Sequence, residues 1–315
     1  MPDQHSYTTE EIAKLLKVSK LTVYDLIKKG ELPAYRVGRQ MRVDAVDLDS
    51  YKEKTKKTGK VPYVHISESS AGTNPRQETL SPQQIVITGQ DMSLDLFARY
   101  LEKTNRHYRP LRSYAGSLDS LIAMYKGEAH IVSTHLFDGD TGEYNLPYIR
   151  KILVGLPYIV IRLLARWIGF YVPIGNPKHI QVWEDLKRPD IQIVNRERGS
   201  GSRVFLDEQL RLHGISPQEV RGYFHEETNH VSVAGKVAGG FCDAGIGIEK
   251  IAQIVGVDFI PLMKERYDLV IVKSPETKAM IANVQQLVGS EEFRNELQAI
   301  RGYDIAETGQ VIFET

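Results

Sequence analysis

Tyr7-Thr8-Thr9-Glu10-Glu11-Ile12-Ala13-Lys14-Leu15-Leu16 contains a helix start followed at once by an apolar stripe. Thr8 and Glu11 have the spacing of a capping box, in which hydroxyl and carboxylate satisfy each other's backbone N–H groups. Ile12, Leu15 and Leu16 then recur at helical spacing. Ser19 opens a second helix carrying Val23, Leu26 and Ile27, and Gly30 ends it. Two short amphipathic helices with a tight connection predict a helix-turn-helix, the second helix lying in the major groove of DNA.

The next residues alternate. Pro33-Ala34-Tyr35-Arg36-Val37, Gly38-Arg39-Gln40 and Met41-Arg42-Val43 read as a hairpin with glycine at its tip. The pattern predicts Tyr35, Val37, Met41 and Val43 facing the core, with Arg36 and Arg42 outward. Asp44 is expected to cap a third helix through Val46, Leu48 and Tyr51. Together with Leu32-Pro33 and the Gly38-Arg39 wing, this segment resembles the excisionase-type winged helix, related to the DNA-binding domain of mercury-resistance regulators. The resemblance covers residues 1–57 and implies a double-stranded DNA operator as partner. Charge agrees with that partner. Residues 12–42 hold Lys14, Lys17, Lys20, Lys28, Lys29, Arg36, Arg39 and Arg42 against Asp25 and Glu31, so 8 − 2 = +6. The whole chain balances 40 basic against 40 acidic residues, so the excess is local. Such a patch supplies the sequence-independent, salt-dependent part of DNA affinity. Ser19, Lys20, Thr22 and Tyr24 on the second helix are the candidates for base or groove contact. Arg39 and Gln40 at the wing tip are candidates for minor-groove or phosphate contact, with Lys28, Arg36 and Arg42 in the same basic set. Any one of these lysines read alone is equally well a solvated surface residue.

The remaining length suits one larger domain. The 315 residues suggest two or three domains, and 42% apolar content is ordinary for a globular chain. A single cysteine, Cys242, excludes an internal disulfide and fits a reducing compartment. The opening residues are polar, without the apolar core of a signal peptide. The apolar stretch from Ile149 to Ile174 is interrupted by Arg150, Lys151, Arg162, Arg166, Gly155, Gly169, Pro157 and Pro173. It is therefore expected to form successive core strands and turns and not a membrane span. A cytoplasmic location is expected. Residues 58–82, rich in Ser, Thr, Gly, Pro and Asn, read as a linker in which Val61 to Ile66 suggests a short edge strand.

From Gln84 onward short β-rich runs alternate with helical ones, which predicts an α/β domain with mainly parallel strands. Ile85-Val86-Ile87 ends at Thr88-Gly89, ahead of a helix with Leu94, Leu96, Phe97 and Tyr100. Arg109 to Tyr114 leads to Gly116-Ser117 and a helix from Leu118 to Tyr125. Ala129 to Val132 ends at Ser133-Thr134-His135. Ile191 to Val194 ends at Asn195-Arg196, followed by Gly199-Ser200-Gly201-Ser202-Arg203 and a helix from Val204 to Leu212. Thr228, Asn229, His230 and Ser232 open another.

In such folds ligands sit beyond the carboxyl ends of the strands, at the following helix N-termini. Those termini offer unpaired N–H groups and partial positive charge, so anions bind there readily. Thr88, Gly89, Ser117, Arg196, Ser200, Gly201, Ser202, Arg203, His230 and Ser232 are the candidate ligand-binding residues. Arg196 and Arg203 are the expected neutralising charges. Each Ser or Thr alone is more simply a helix cap, but two glycines and two serines ahead of an arginine exceed that need. A nucleotide P-loop is excluded, since the Gly-Lys-Ser/Thr ending is missing. His135 and Cys242 are expected to be structural. The spacing of His225, Glu226, Glu227 and His230 matches no zinc signature. No catalytic residue is proposed, because no triad or paired-carboxylate motif stands out.

Gly116 to Leu121 with Gly127-Glu128-Ala129-His130, Gly175-Asn176-Pro177, Asn195 to Arg203, Asp243 to Gly247, and Gly302-Tyr303-Asp304 with Thr308-Gly309 keep a common order. In that order they resemble a type II periplasmic-binding-protein fold over residues 83–315, the tail being similar to molybdate-binding proteins. Chains that join an excisionase-like head to this body resemble a family of molybdate- or tungstate-responsive bacterial regulators. Two positions depart from the pattern: Ser202 stands in place of threonine and His130 in place of aspartate. The resemblance implies two lobes, about 83–170 with 263–315 and about 171–262, closing on an anion. It implies molybdate or tungstate as effector, with no cofactor and no metal beyond the oxyanion itself, and a homodimer on a two-fold operator. Three alternatives stay open: a DNA-architectural protein whose second domain oligomerises, a regulator of an organic anion or pterin-type ligand, and an enzyme with an accessory DNA-binding head.

Overall fold

The computed structural model describes residues 6–16, 20–28, 32–37, 40–49, 51 and 82–315. The predicted edge strand at 61–66, and the linker up to residue 81, lie outside them. The chain divides into two compact units at Gln77 and Glu78.

The first unit contains β1 (Ser6–Thr8), α1 (Thr9–Leu16), α2 (Lys20–Lys28), β2 (Tyr35–Val37), β3 (Gln40–Asp44) and α3 (45–49). The capping box forms: Thr8 N donates to Glu11 Oε2 at 2.8 Å, and Glu11 N donates to Thr8 Oγ1 at 3.4 Å. Residues of α1, α2, β3 and α3, with Leu32 ahead of β2, close a core. Ile12, Val23, Leu32, Val43 and Leu48 are all fully buried. Two expectations are corrected. Leu15 and Val46 are exposed, because the small core has room for one face of each short helix. The hairpin faces also differ. Tyr35 pairs with Arg42 and Arg36 with Met41, across a two-residue connection. Partners directly opposite share a face, so Tyr35 lies with Arg42 and not with Met41 and Val43. Its hydroxyl donates to Asp44 Oδ1 at 2.8 Å. β1, which the sequence reading did not foresee, adds a third strand beside β3.

The second unit runs β4 (Gln83–Thr88), α4 (Ser93–Thr104), β5 (Tyr108–Ser113), α5 (Ser117–Tyr125), β6 (Ile131–Thr134), α6 (Leu146–Ile152) and β7 (Tyr158–Val172). It continues with β8 (Ile193–Arg196), α7 (Gly201–Leu212), β9 (Glu226–Glu227), α8 (His230–Ala238), β10 (Ala244–Ile248) and α9 (Glu249–Val255). β11 (Asp258–Val272), α10 (Lys278–Gly289), α11 (Glu291–Ala299), β12 (Tyr303–Asp304) and β13 (Val311–Glu314) complete it. The strands form one curled sheet in the order β5-β4-β6-β11-β7-β10-β8-β9, with β12 and β13 also on β7. β4 is parallel to β5 and β6, and β8 to β10 and β9. No helix among the described residues is long and apolar enough to cross a membrane.

β7 and β11 run antiparallel over nearly their whole lengths and carry the sheet from one lobe into the other. In the first half of β7, Ile159 and Ile161 pack with α4, α10 and α11, whereas Tyr158 and Val160 pack with α5 and α6. In its second half, Ile168, Phe170 and Val172 join the α7 side, and Tyr171 the α8 and α9 side. The period of two along one strand thus feeds both faces of both lobes. The expectation of several strands and turns between Ile149 and Ile174 is corrected. α6 is followed by one strand of 15 residues, with Pro157 and Pro173 just outside its ends. Arg162 and Arg166 do not break it, because β11 supplies Asp268 and Glu265 as buried partners. A buried charge is tolerated where it is paired. Register shifts interrupt β11 between Pro261 and Met263 and between Tyr267 and Asp268, where the strands pass between the lobes.

Candidate functional site

The carboxyl ends of β4, β6 and β8 and the starts of α5, α7 and α8 meet between the lobes. They enclose a cavity of about 20 Å³. From the first lobe come Gly89, Gln90, Asp91, Gly116, Ser117, Ser133 and His135, and from the second Arg196, Ser200, Gly201 and His230. Arg166 and Tyr267 reach it from the two crossing strands. In the first turns of α5 and α7 the N–H groups have no intrahelical carbonyl to bond, so the backbone itself offers donors here.

Close approach of the lobes depends on two glycines. A Cβ on Gly116 would lie 2.7 Å from the Gly199 carbonyl oxygen, and one on Gly201 would lie 2.3 Å from the His135 ring. The lobes are tied by Leu118 N donating to Gly199 O at 3.0 Å, and by Gly139 N donating to Glu208 Oε2 at 2.9 Å. Gln90 spans the gap with both ends of its amide. Its Nε2 donates to Glu197 Oε1 at 3.1 Å, and its Oε1 accepts from Arg196 Nη2.

Arg166 is buried, bonded to Asp91 and Glu265, with its guanidinium carbon 4.6 Å from the Tyr267 ring centroid. Tyr303 donates to Asp91 Oδ1 at 2.8 Å. Burial opposes the charge on Arg166, but Glu265 and Asp91 hold it protonated. Burial pushes the Glu265 carboxyl up, against the pull of Arg166. His135 stacks on Tyr267 at 5.1 Å and shares a 3.0 Å hydrogen bond with Ser117 Oγ. His230 is half-buried at the start of α8, and its Nδ1 is shut off from solvent without a partner among the described residues. Both imidazoles are held well below the usual histidine range, by burial and then by the positive field of Arg166 and Arg196. They are neutral at pH 7. The geometry therefore assembles backbone N–H groups, two guanidiniums and two uncharged rings around a space of a few atoms.

Of the sequence candidates, Gly89, Ser117, Arg196, Ser200, Gly201 and His230 line the cavity. Thr88 and Ser202 are buried beside it, each with a hydroxyl that meets no partner among the described residues. Ser200 also caps α7, its Oγ accepting from Arg203 N at 3.3 Å. Arg203 is corrected as a ligand contact. Its guanidinium turns away to Asp207, Glu226 and the Arg196 carbonyl, over the Tyr223 ring, and so braces β8 against β9. Ser232 is corrected too: its N–H donates to Asn229 Oδ1, the cap of α8, and the residue does not line the cavity. Gln90, Asp91, Ser133, Arg166 and Tyr267 were missed, and His135 was set aside as structural. A signal was available for Arg166, since an arginine inside a long apolar strand requires a buried partner. Among the described residues no three His, Cys, Asp or Glu side chains converge as metal ligands. Cys242 is buried, which pushes its thiol up to about 12.

In the first unit, Tyr24 is exposed on α2, and Lys20 Nζ bonds Glu10 Oε1 at 2.5 Å. Arg36 is exposed, and Arg42 donates to Ser6 Oγ at 3.1 Å. Ser19 and Arg39, and the side chains of Thr22, Lys28 and Gln40, lie outside the described residues.

Residues 6–56 match a helix-turn-helix domain, and residues 98–289 match the PBP superfamily domain. The uncharacterised protein YvgK of Bacillus subtilis (strain 168) is 48% identical over 315 residues, covering 100% of both chains. A Clostridium perfringens protein solved with bound phosphate aligns with a TM-score of 0.53 at 14% identity, over 70% of this chain and 99% of its own. The tungstate ABC transporter structure from Geobacter sulfurreducens aligns at 0.51 and 11% identity, over 70% of this chain and 100% of its own. The fold, the cleft at the strand ends and the matched residues lead to one statement: this chain belongs to the PBP superfamily and carries a helix-turn-helix domain ahead of its two-lobed body.

Proposed function

We propose that this protein is a DNA-binding regulator whose two-lobed unit senses a small tetrahedral oxyanion, with molybdate and tungstate as the leading effectors. The carrying observation is the convergence of the α5, α7 and α8 starts with Arg166 and Arg196 on one small enclosed cavity. Helix N-termini and guanidiniums together favour anions. The space between the apposed lobes is about 20 Å³, enough for roughly one water molecule, so a four-oxygen anion asks for less parting of the lobes than a pterin does. Both fold neighbours named above are described by anions of this class. A domain serving only oligomerisation has no need of such a lined cavity. Lobe closure on the anion, a hinge motion along β7 and β11, would be the event passed to the winged helix of each protomer of a homodimer. The test is operator binding and melting temperature with molybdate, tungstate, sulfate and phosphate at fixed salt. A stabilising shift with one or more anions, matched by altered operator affinity, is expected. Unchanged values across all four would sink the reading.

A further inference from the structure

We infer that the anion enters this site together with a proton, which is taken up by the His135 and His230 pair, so that anion affinity falls as pH rises. The inference rests on the oxyanion reading above and names the chemistry of that same site. Both rings face one small cavity from opposite lobes, one after β6 and the other at the start of α8. His230 Nδ1 is buried without a hydrogen-bond partner among the described residues, and it can donate to an oxyanion oxygen either as the neutral Nδ1–H tautomer or as the imidazolium, two states that a proton count separates. His135 Nδ1 is held by Ser117 Oγ, and Tyr267 fixes the ring plane.

The charged and titratable groups around the pair come from five places. Arg196 and Glu197 lie at the end of β8, and Arg166 on β7. Glu265 and Tyr267 lie on β11, Asp91 follows β4, and each imidazole faces the other. Arg196 is already paired with Glu197, and Arg166 with Asp91 and Glu265. Burial, and after it their positive field, keeps the rings uncharged. A dianion placed in the cavity reverses that field at both rings. A proton then moves from solvent to an imidazole nitrogen, and the new N–H donates to the anion. The bond that held that proton in hydronium or the buffer acid breaks as the imidazole N–H forms, and no other covalent bond changes.

The linkage has a definite sign. A histidine whose pKa is higher in the bound than in the free state strengthens binding as pH falls. Between the two pKa values the dissociation constant changes about tenfold per pH unit for each proton taken up. The probe is tungstate, which carries no proton of its own between about pH 6.5 and 8.5 and so leaves any pH dependence to the protein's imidazoles. Calorimetric titration of the full chain in two buffers of different ionisation enthalpy counts the protons. Uptake of about one proton per tungstate, with a dissociation constant rising with pH, is expected. His230→Gln and His135→Asn, which keep hydrogen bonding but cannot titrate, should each flatten the profile, and retained melting transitions would show that they fold. Tungstate binding by the wild-type protein without proton uptake overturns this inference and leaves the oxyanion reading standing. Absence of binding by any of the four anions at every pH overturns both.

Discussion

Arg196 Nη2 donates to Gln90 Oε1 at 2.5 Å, and the two residues belong to different lobes. The same guanidinium bonds Glu197 at 2.8 Å and the Thr228 carbonyl at 3.3 Å, so the second lobe holds its arginine with or without Gln90. Gln90 is thus the side chain that bridges the two lobes at this point.

Gln90→Ala should accordingly weaken tungstate binding by about tenfold while costing only about 1 kcal/mol of stability. Calorimetric affinity and urea unfolding of the same preparation check both halves. A loss of stability without loss of affinity would show that the contact serves folding alone.

Arg166→Met should cost about 3–5 kcal/mol, because it strands the Asp91 and Glu265 carboxylates in a buried environment. The melting temperature of the second unit is the measurement. An unchanged value would mean that the buried triad carries no net weight.

Arg203→Ala should destabilise the second lobe by about 2–4 kcal/mol, since it removes the brace to Asp207 and Glu226. Because the guanidinium does not face the cavity, tungstate affinity of the folded variant should fall less than about tenfold. Complete loss of binding in a folded variant would restore Arg203 to the ligand shell.

On the first unit, Glu10 and Lys20 form an exposed ion pair that a DNA phosphate can replace. Lys20→Gln should lower the slope of log affinity against log salt by about one. Glu10→Gln should strengthen binding slightly and leave that slope within about 0.3 of wild type. Fluorescence anisotropy on one duplex at several salt concentrations distinguishes the two.

Asp268 supplies a pH dependence of stability. Burial pushes its carboxyl up to about 6 from 3.8, outweighing the pull of Arg162 Nη1 at 3.0 Å and the hydrogen bond from Asn145 Nδ2 at 2.7 Å. A folded-state pKa above the unfolded one contributes stability that is full below pH 3.8 and is lost as pH rises through 6. The difference is about 3 kcal/mol. Urea unfolding of wild type and Asp268→Asn across that window should show a decline steeper in wild type by about 3 kcal/mol, the part due to Glu265 remaining in both.

The legible parts of this protein share one property: they depend on residues close in the chain. The Thr8–Glu11 box and the start of α7 at Ser200-Gly201 are contacts over three residues or fewer. Ile85 and Ile87 alternate on one strand and bury together. Six of ten ligand candidates line the cavity for the same reason, since strand-to-helix junctions are local signals and the fold gathers them at one edge. The failures are equally consistent. Arg203 follows a glycine-serine run and has the right chemistry, yet its direction is set by Glu226, which only the tertiary fold brings near. Tyr35 was misassigned because the face of a hairpin residue depends on register across the turn.

From the order of its residues alone, the chain specifies a winged helix-turn-helix, an α/β body and a set of helix starts rich in hydroxyls and glycine. What folding in three dimensions decided is the charge and shape of the cavity. Asp91 and Arg166 stand 75 positions apart, and Gln90 and Arg196 stand 106 apart. Helix starts and strand alternation follow from backbone bonds over a few residues. The pairing of buried charges follows from which strands cross between the lobes, and no local pattern encodes that.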